Sequence, residues 1–310
     1  MKGDLEEFAG MALPFVSIII PTYNRAYNVC SCLKNLAALR YPRERFEVIL
    51  VDDGGCFPLE DQVAPFREKL NLVLLCQKHA GRAVALNTGA GKAKGDLFLF
   101  TDDDCRPAED YLLNLARCFE ANPDCMFGGK TRNSAEKNIF SETSILLLSY
   151  LFSYYNDVPN QSLFVNGCNM AVPARVFLNI GGFSEAYRQT TAEDRDLCDR
   201  WLWHGYRIVY ASELVMFHRH PLTLPKFLRQ HFKYGRGACV FHEVRMQERN
   251  KNVAVEGWSF YAGMLRYPIG RFPSGRAALM VVLLIMSQIM NAAGFVWGKT
   301  QSRMAHKERT

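Results

Sequence analysis

The N-terminal third of the chain alternates short apolar runs with stretches that carry helix formers at helical spacing. The apolar runs cover residues 15–20, 46–51, 72–75 and 97–100, and the helical stretches cover residues 26–39, 60–69 and 83–94. Continuously apolar strands are buried on both faces, and strands that alternate with helices form parallel sheets. The sequence therefore predicts an α/β fold with a buried parallel sheet and helices on both of its faces.

The composition excludes several classes of protein. Of the 310 residues, 49% are hydrophobic and 22% are charged, which supports a packed core and argues against disorder. The ten cysteines form no CxxC pair, and the first fifteen residues lack the features of a signal peptide, so we expect reduced thiols and no secretion. The net charge of +6 suits an anionic ligand or membrane surface, but it is too mild and dispersed to predict a nucleic-acid partner.

Polar clusters follow three of the four predicted strands. They read PTYNR at residues 21–25, DDGG at 52–55 and TDDD at 101–104. Ordinary turns are an alternative explanation for any one of them, because turns are rich in Asp, Asn and Gly. Parallel sheets bind ligands at the carboxyl ends of their strands, so three clusters at one edge predict a ligand site there. Neither a GxGxxG after the first strand nor a GxxxxGK followed by Ser or Thr is present, which excludes the dinucleotide and P-loop folds.

The acidic cluster after the fourth strand is either a metal site or a solvated turn. In an extended segment, residues two apart point to the same side, so Asp102 and Asp104 can face one site while Asp103 faces away or bonds the backbone. Carboxylate oxygens suit Mg²⁺ or Mn²⁺ bound to a diphosphate. Such an ion would neutralise the charge that develops on a phosphate leaving group.

Eight stretches of the chain match the motifs of a known family in their order, at residues 21–25, 51–55, 81–89, 102–104, 164–170, 181–183, 193–196 and 235–237. Through them the chain resembles the family 2 glycosyltransferases. The resemblance implies the GT-A nucleotide-diphospho-sugar transferase fold, a Rossmann-like mixed sheet flanked by helices. It also implies transfer of a sugar from a UDP-, GDP- or dTDP-sugar to a hydroxyl of a saccharide or lipid-linked acceptor, in cell-surface polysaccharide or glycolipid synthesis. The QxxRW motif of polymer-forming relatives is missing, which argues against processive synthesis.

The resemblance places the nucleotide at the first two clusters. Thr22, Tyr23 and Asn24 would border the base and the ribose. Asp53 would lie against the base, with Asp52 as the reserve. The full set of predicted substrate contacts is Pro21, Thr22, Tyr23, Asn24, Asp52, Asp53, Arg82, Asn87, Asp102, Asp103, Asn166, Asn169 and Glu193. For Asn166 and Asn169 two roles stay open, a hydrogen bond to a sugar hydroxyl or support of a bend.

The resemblance also implies a metal site and a general base. Asp102 and Asp104 would bind Mg²⁺ or Mn²⁺, and His218 is the better candidate for a further ligand, although a lone histidine is usually structural. Arg82 would approach the diphosphate or serve as a surface charge. The Glu-Asp motif would supply Asp194 as the base that deprotonates the acceptor, in a single inverting displacement.

An alternative for the same motif is a plain helix start. Thr190 or Thr191 would then cap the helix, with acids in its first turn, and both readings can hold together. Asp196 is predicted to be an acid on the helix surface. The alternative to an enzyme is a non-catalytic protein, a nucleotide-sugar-binding or scaffold subunit of a membrane polysaccharide assembly. The intact DxD and Glu-Asp motifs argue against this alternative.

The carboxyl-terminal region forms a separate predicted segment. We expect an N-terminal extension at residues 1–14, a transferase domain at 15–245 with halves 15–107 and 108–245, and a helix with a basic tail at 246–310. Residues 277–298 carry no charge and are long enough to cross a bilayer core of about 30 Å. Ser287, Gln288 and Asn291 form a polar stripe, so a helix in the membrane interface or packed on a partner fits as well as a span. The predicted location is the cytoplasmic face of the cell membrane, or the cytoplasm.

Overall fold

The fold is built on one mixed sheet. The computed structural model describes residues 12–135, 137–156, 162–188, 190–249 and 256–307. Its strands are β1 Val16–Thr22, β2 Phe46–Asp52, β3 Leu72–Cys76, β4 Leu97–Phe100, β5 Cys105–Pro107, β6 Met126–Asn133, β7 Met170–Pro173 and β8 Ile208–His218. They form an eight-stranded sheet in the order β3-β2-β1-β4-β7-β6-β8-β5. The predicted α/β class is confirmed.

Strands β1 to β4 are parallel, as the alternation of strands and helices predicts. The sheet becomes mixed beyond β4, because β7 pairs antiparallel with both β4 and β6 and β5 pairs antiparallel with β8. The register sets Thr22 opposite Asp52, so the first two polar clusters leave the sheet at the same level. The clusters therefore meet at one edge of the sheet.

Helices cover both faces of the sheet and extend beyond it. The described helices are α1 Ala26–Leu36, α2 Glu60–Val63, α3 Arg82–Ala90, α4 Tyr111–Ala121, α5 Ile139–Tyr155, α6 Ala174–Asn179, α7 Glu193–Trp203, α8 Leu224–Arg249, α9 Trp258–Arg266 and α10 Ser274–Lys307. The predicted helix at 60–69 is shorter than expected. A 3₁₀ turn replaces it from Ala64, because Pro65 has no N–H to donate within a helix.

The two faces of the central strands lie in two separate cores. Ile18 and Val48 belong to the core on one face, and Ile19 and Ile49 belong to the core on the other. Each of these side chains is fully buried, and burial of one such side chain contributes about 1.5–3 kcal/mol. Alternate residues of one strand thus stabilise opposite faces, which explains why these runs are apolar throughout.

Helix α10 packs lengthwise on α8 through glycines. A Cβ at Gly235 would lie 1.9 Å from the carbonyl oxygen of Asn291, and one at Gly294 would lie 2.0 Å from that of Phe232. No side chain fits at either position, so the two backbones approach closely. Helix α5 also packs beside α10, because Tyr150 shares a buried apolar cluster with Leu284. The Tyr150 hydroxyl donates to the carbonyl of Phe260, on α9, at 2.6 Å.

The two sides of α10 differ in exposure. Ser287 is fully buried against the domain, whereas Ile289 on the outer side is 61% exposed. Within the described residues, Ser274–Met304 is the one helix long and apolar enough to cross a membrane. The predicted polar stripe faces inward, and the face turned away from the domain is apolar.

The predicted domain boundaries stay predictions. Residues 1–11 of the proposed extension lie outside the described residues. Helix α8 continues past residue 245 to Arg249. All ten cysteines are free thiols, in agreement with the expectation that the chain has no disulfide framework.

Candidate functional site

The first polar cluster is held by side-chain hydrogen bonds to the other two. The Thr22 hydroxyl donates to Asp103 Oδ2 at 2.7 Å, and Asn24 Oδ1 accepts from the Cys56 N–H at 2.7 Å. Asn24 has a φ of +55°, a left-handed conformation that asparagine tolerates better than most residues. Tyr23 is half exposed and stacks on the His79 ring with centroids 4.3 Å apart. A flat aromatic surface therefore lies at the end of β1.

Asp53, the preferred contact for the base, is almost fully buried. Its Oδ1 accepts from the Gln77 side chain at 2.7 Å and from the Ala80 N–H at 2.9 Å, and its Oδ2 accepts from the Gly81 N–H at 2.9 Å. Asp52 likewise accepts from the Gly55 N–H at 2.9 Å. Both carboxylates thus shape the loops beside them, and contact of either with a base stays a prediction.

Gly81 begins helix α3 in a conformation that only glycine adopts easily. Its φ is +95°, and a Cβ there would lie 2.0 Å from the carbonyl oxygen of Arg188. The turn places the next side chain, that of Arg82, over the carboxyl edge of the sheet. The loop that Asp53 organises thereby fixes the position of Arg82.

Arg82 joins the acidic cluster to the Glu-Asp motif. Its Nε and Nη2 donate to Asp102 Oδ1 at 3.0 and 2.9 Å, and its Nη1 donates to Glu193 Oε1 at 2.5 Å. Its Nη2 also donates to the Gly167 carbonyl at 3.2 Å. Burial raises the pKa of Glu193, and the adjacent guanidinium opposes that rise. Because its guanidinium bonds two carboxylates, Arg82 is not a plain surface charge, which was one of its two predicted roles.

Asp103 does not face away as a solvated side chain. It is buried, it accepts from Thr22, and its Oδ1 lies 3.1 Å from Arg25 Nη1. Burial raises the pKa of Asp103 to about 6, and the Arg25 guanidinium limits that rise. Asp103 therefore ties β1 to the acidic turn through side chains, whereas the expectation was that it would face away from the site or bond the backbone.

Asp104 lies between three cationic or protonatable side chains. His218 Nε2 is 3.1 Å from its Oδ1, His220 Nδ1 is 3.2 Å from its Oδ2, and Arg25 forms an ion pair with the same Oδ2. Burial raises the pKa of Asp104, but hydrogen bonds from the two histidines more than reverse this effect and hold it well below its usual range. Burial alone would lower the pKa of His218, but the hydrogen bond to Asp104 acts in the opposite direction, and the pKa of His218 rises to about 9.

These donors fit a divalent cation. Ligand atoms of Asp104, Cys105 and His218 all lie within 4.8 Å of one another. Burial raises the pKa of the Cys105 thiol well above its usual range, which leaves the Asp104 carboxylate and the His218 imidazole as donors, the latter once a cation has displaced its proton. A carboxylate with an imidazole suits Mn²⁺. The structure brings His218 to Asp104 as predicted, whereas Asp102 points to Arg82.

Asp194 is half buried in the first turn of α7. Its Oδ2 accepts from the Gly167 N–H at 3.0 Å, and its Oδ1 accepts from the Arg195 N–H at 2.8 Å. Two backbone donors thus fix the carboxylate in place. The predicted helix start is confirmed, but the cap is wrong. The residue at the N-cap is Ala192, with a φ of +86°, rather than Thr190 or Thr191.

Asp196 is not the surface acid that was expected. It is 2% exposed, accepts from Arg200 Nε at 2.8 Å and lies 3.3 Å from the Tyr187 hydroxyl. An ion pair with the residue four positions later turns it into the domain. Trp201, further along the same helix, is fully buried in one of the two cores.

Two predicted substrate contacts have structural partners. Asn169 is fully buried, where its Oδ1 accepts from the Tyr111 hydroxyl and its Nδ2 donates to the Leu214 carbonyl. Asn87 bonds both the N–H and the carbonyl of Phe183. For Asn169 the structure shows a supporting role, one of the two that were left open, because its side chain is fully buried. Substrate contact by the half-buried Asn87 stays a prediction. Asn166 does face a cavity, and so does Glu193.

Two cavities meet at this edge of the sheet. The first, of about 1060 Å³, contains Asp104 and a set of basic residues, Arg25, Arg106, Arg219, Lys226, Arg229 and Lys233. The second, of about 960 Å³, contains Asp102, Asp194 and Arg82 and is otherwise lined largely by apolar side chains. His220 and Tyr234 line both cavities. One cavity is therefore cationic and the other is largely apolar.

Sequence reasoning missed several residues of the site. Arg25 stands in the PTYNR cluster but was assigned no role, and His220 was set aside in favour of His218 as a candidate ligand. His79, Gln77 and Tyr234 belong to no pattern. The first two stand in the loop between β3 and α3, and the third is on α8, and only the fold brings them to the site.

Comparisons with known proteins agree with this architecture. Residues 17–181 match the family described as Glycosyl transferase family 2, and residues 150–221 match the N-terminal domain of galactosyltransferase. Glycosyltransferase AglE of Haloferax volcanii is 36% identical over 103 residues, which is 32% of this chain and 34% of that protein. The probable glycosyltransferase YdaM of Bacillus subtilis is 26% identical over 236 residues, 73% of this chain and 55% of that one. The chain spans about half or less of the length of these relatives.

A third relative and a solved structure extend the comparison. The relative is a dolichyl N-acetyl-α-D-glucosaminyl phosphate diacetamidodideoxyglucuronosyltransferase of Methanococcus voltae, 25% identical over 142 residues and 44% of each chain. The solved structure is mannosyltransferase PcManGT of Pyrobaculum calidifontis in complex with GDP-Man and Mn²⁺. It has a TM-score of 0.61 at 19% identity and covers 90% of this chain and 87% of that chain. The family match over more than half of the chain and the shared fold show that this protein belongs to glycosyl transferase family 2 and has the GT-A fold.

Proposed function

We propose that this protein is an inverting glycosyltransferase that uses a nucleotide sugar and a divalent metal. The observation that carries the proposal is the contact of Arg82 with both Asp102 and Glu193. Through it, Asp102, which is proposed to lie near the donor, is joined to Glu193, the neighbour of the proposed base Asp194, and all three residues line the second cavity. A site that binds a donor and also activates an acceptor needs this convergence, because both reacting molecules must meet within about 3–3.5 Å.

In the proposed reaction Asp194 accepts the proton of the acceptor hydroxyl. The hydroxyl oxygen bonds to the anomeric carbon as the bond from that carbon to the diphosphate oxygen breaks, and the nucleoside diphosphate leaves with the bonding electrons. The two backbone N–H groups on Asp194 hold it in place while leaving lone pairs for a proton. A single displacement inverts the anomeric centre.

Asp104 and His218 would hold the metal, with Asp102 near the ribose. Mg²⁺ or Mn²⁺ would supply charge stabilisation for the departing diphosphate. Arg25 and the basic residues of the first cavity would add further positive charge. Their number exceeds that of the acidic residues there, which favours an anionic ligand.

The donor would be a UDP-, GDP- or dTDP-sugar, and the acceptor a saccharide or a lipid-linked molecule. The fold neighbour with GDP-Man and the relative that acts on a dolichyl phosphate sugar support these classes. Tyr23 offers its exposed ring to the base, stacked on His79.

A thermal-shift screen of UDP, GDP and dTDP, each with and without Mn²⁺, tests this proposal. One nucleotide should raise the melting temperature, because a ligand that binds only the folded state stabilises it, and Mn²⁺ should increase the effect. Asp104→Asn should abolish the part that depends on Mn²⁺ while the unliganded protein stays folded. No stabilisation by any nucleotide would contradict the proposal. Stabilisation without donor hydrolysis would favour a non-catalytic nucleotide-sugar-binding subunit.

The outer face of α10 supports attachment to a membrane surface, which is the predicted location. Its exposed apolar residues are Leu279, Val282, Ile285, Ile289, Val296 and Trp297. Helix α10 lies along α8 through its length, so an interfacial position fits the structure better than a span. Ile289→Glu should reduce sedimentation with anionic phosphatidylglycerol vesicles, and Lys299→Glu should reduce it less. Unchanged sedimentation of Ile289→Glu would refute this attachment.

A further inference from the structure

The second cavity extends well beyond the proposed base. It begins at Asp102 and Asp194 on the carboxyl edge of the sheet and continues between α5, α8 and α10. Its apolar lining residues are Ile145, Leu147, Leu148, Leu151, Phe164 and Phe295. Its volume of about 960 Å³ is at the upper end of the range of about 300–1,000 Å³ for small-molecule sites. The cavity therefore accommodates far more than the single hydroxyl that the proposed reaction needs.

Three residues of the cavity wall carry polar atoms without partners. They are His231, Asn291 and Ser144, whose ring nitrogens, Oδ1 and Oγ respectively are buried and have no hydrogen-bond partner among the described residues. Buried polar atoms nearly always have a partner, so this wall has hydrogen-bonding capacity that water or the polar part of a ligand in the cavity can fill after a small side-chain movement. The cavity thus combines an apolar lining with a few polar groups.

The far end of the cavity reaches the exposed face of α10. Val296 lines the cavity and is 61% exposed, and it belongs to the apolar outer face of that helix. Ala292 also lines the cavity and is exposed to solvent. An apolar chain that enters along α10 thus stays in contact with apolar side chains up to the neighbourhood of Asp194.

We propose that this cavity binds the lipid chain of an amphipathic acceptor. The acceptor hydroxyl lies at Asp194, its polar head lies beside the wall that His231 and Asn291 form, and its alkyl or isoprenoid chain passes between α5 and α10 to Val296. This inference rests on the proposed function, since it takes Asp194 as the base. A saccharide without a lipid would leave the leucines of α5 against water, so the lining favours the lipid-linked class.

Binding of alkyl glucosides of increasing chain length tests the inference without donor or catalysis. Methyl, hexyl and decyl β-D-glucoside carry one head group and are titrated by calorimetry below their micelle-forming concentrations. Affinity should rise by about fourfold for each methylene that enters the cavity. Donor hydrolysis is measured separately, so loss of chain-length dependence is distinguishable from failure of the transferase proposal.

Two neighbouring alanines of α10 provide a matched pair of variants. Ala292 lines the cavity, whereas Ala293 is exposed and is not part of its lining. Ala292→Trp should remove most of the dependence on chain length, and Ala293→Trp should retain it. Leu148→Trp, on the opposite wall, should repeat the effect of Ala292→Trp. Circular dichroism melting of each variant checks that it is folded.

Three results would overturn the inference. The first is equal affinity of the three glucosides for the unmodified protein. The second is retention of the chain-length dependence in folded Ala292→Trp and Leu148→Trp. The third is its loss in Ala293→Trp alone, which would move the alkyl contact to the outer face of α10.

Discussion

Replacement of Arg82 by methionine tests the link between the two halves of the site. Methionine keeps an unbranched side chain but removes the donors to Asp102 and Glu193. Glu193 is the partner that matters for stability, since its side chain is 7% exposed whereas that of Asp102 is 28% exposed. Loss of one partner of a buried ion pair costs about 3–5 kcal/mol, because the remaining charge is left uncompensated. We expect Arg82→Met to lower the free energy of unfolding at pH 7 by about that amount.

The pH dependence of this loss gives a second test. Burial already raises the pKa of Glu193 above its value in the unfolded chain, and removal of Arg82 removes the main opposing charge. A carboxyl group with a raised folded-state pKa stabilises below its unfolded pKa and loses that contribution as the pH rises through the folded value. The deficit of Arg82→Met should therefore shrink as the pH falls from 7 toward 4.5. Addition of Glu193→Gln should shrink it at pH 7 as well.

Urea unfolding followed by tryptophan fluorescence measures these free energies. Arg175→Met is the matched control, because Arg175 forms an exposed ion pair with Asp124 at 2.6 Å. Such a pair contributes about 0–1 kcal/mol, so the control should lose little stability at any pH. Equal stabilities of Arg82→Met and Arg175→Met, or a deficit independent of pH, would refute the reasoning.

Two further predictions concern the base and the apolar cavity. Asp194→Asn keeps the bond from the Gly167 N–H but cannot accept the acceptor proton, so the transfer rate should fall by about 10²–10⁴-fold with donor affinity unchanged. The control Asp124→Asn, at an exposed position, should keep the full rate. Similar rates in the two variants would exclude Asp194 as the base. Burial lowers the pKa of His231 from 6.5 to about 4, so protonation at low pH favours the unfolded chain. Between pH 7 and pH 4 the unmodified protein should therefore lose about 3 kcal/mol more free energy of unfolding than His231→Phe. Parallel pH profiles of the two proteins in denaturant titrations would contradict this.

The sequence predicted the central sheet because the signal for it is local. Strands β1, β2 and β4 are buried on both faces, so their apolar runs are continuous; β3, at the edge of the sheet, is only partly buried, but its apolar run still fixes its bounds. Helix bounds were less accurate where a backbone effect intervened, as at Pro65. The carboxyl edge of parallel strands was a sound guide to the site, because strand direction alone brings the three polar clusters together.

The partners within the site could not be predicted in the same way. Arg82 and Glu193 are 111 positions apart, and no periodic pattern connects them. Asp196 reads as a surface acid until the fold buries it against Tyr187 and Arg200. Similarly, Asn169 has the polar character of a sugar contact, and only its full burial shows that it bonds Tyr111 instead. Burial and long-range pairing decide these roles, and both depend on the tertiary structure.

Helix α10 shows how an ambiguous composition resolves into two faces of different character in the folded chain. Its uncharged stretch fits a span, an interfacial helix or a packed helix, because these alternatives share one composition. The structure separates them by face. Ser287 and Asn291 turn toward the domain, where Asn291 borders the second cavity, and Ile289 turns outward. A helix in lipid on all sides would not need the close glycine contacts that seat α10 on α8. The same helix would thus rest on the membrane surface and form one wall of the acceptor cavity, which allows a lipid-linked acceptor to reach Asp194 without leaving an apolar surface.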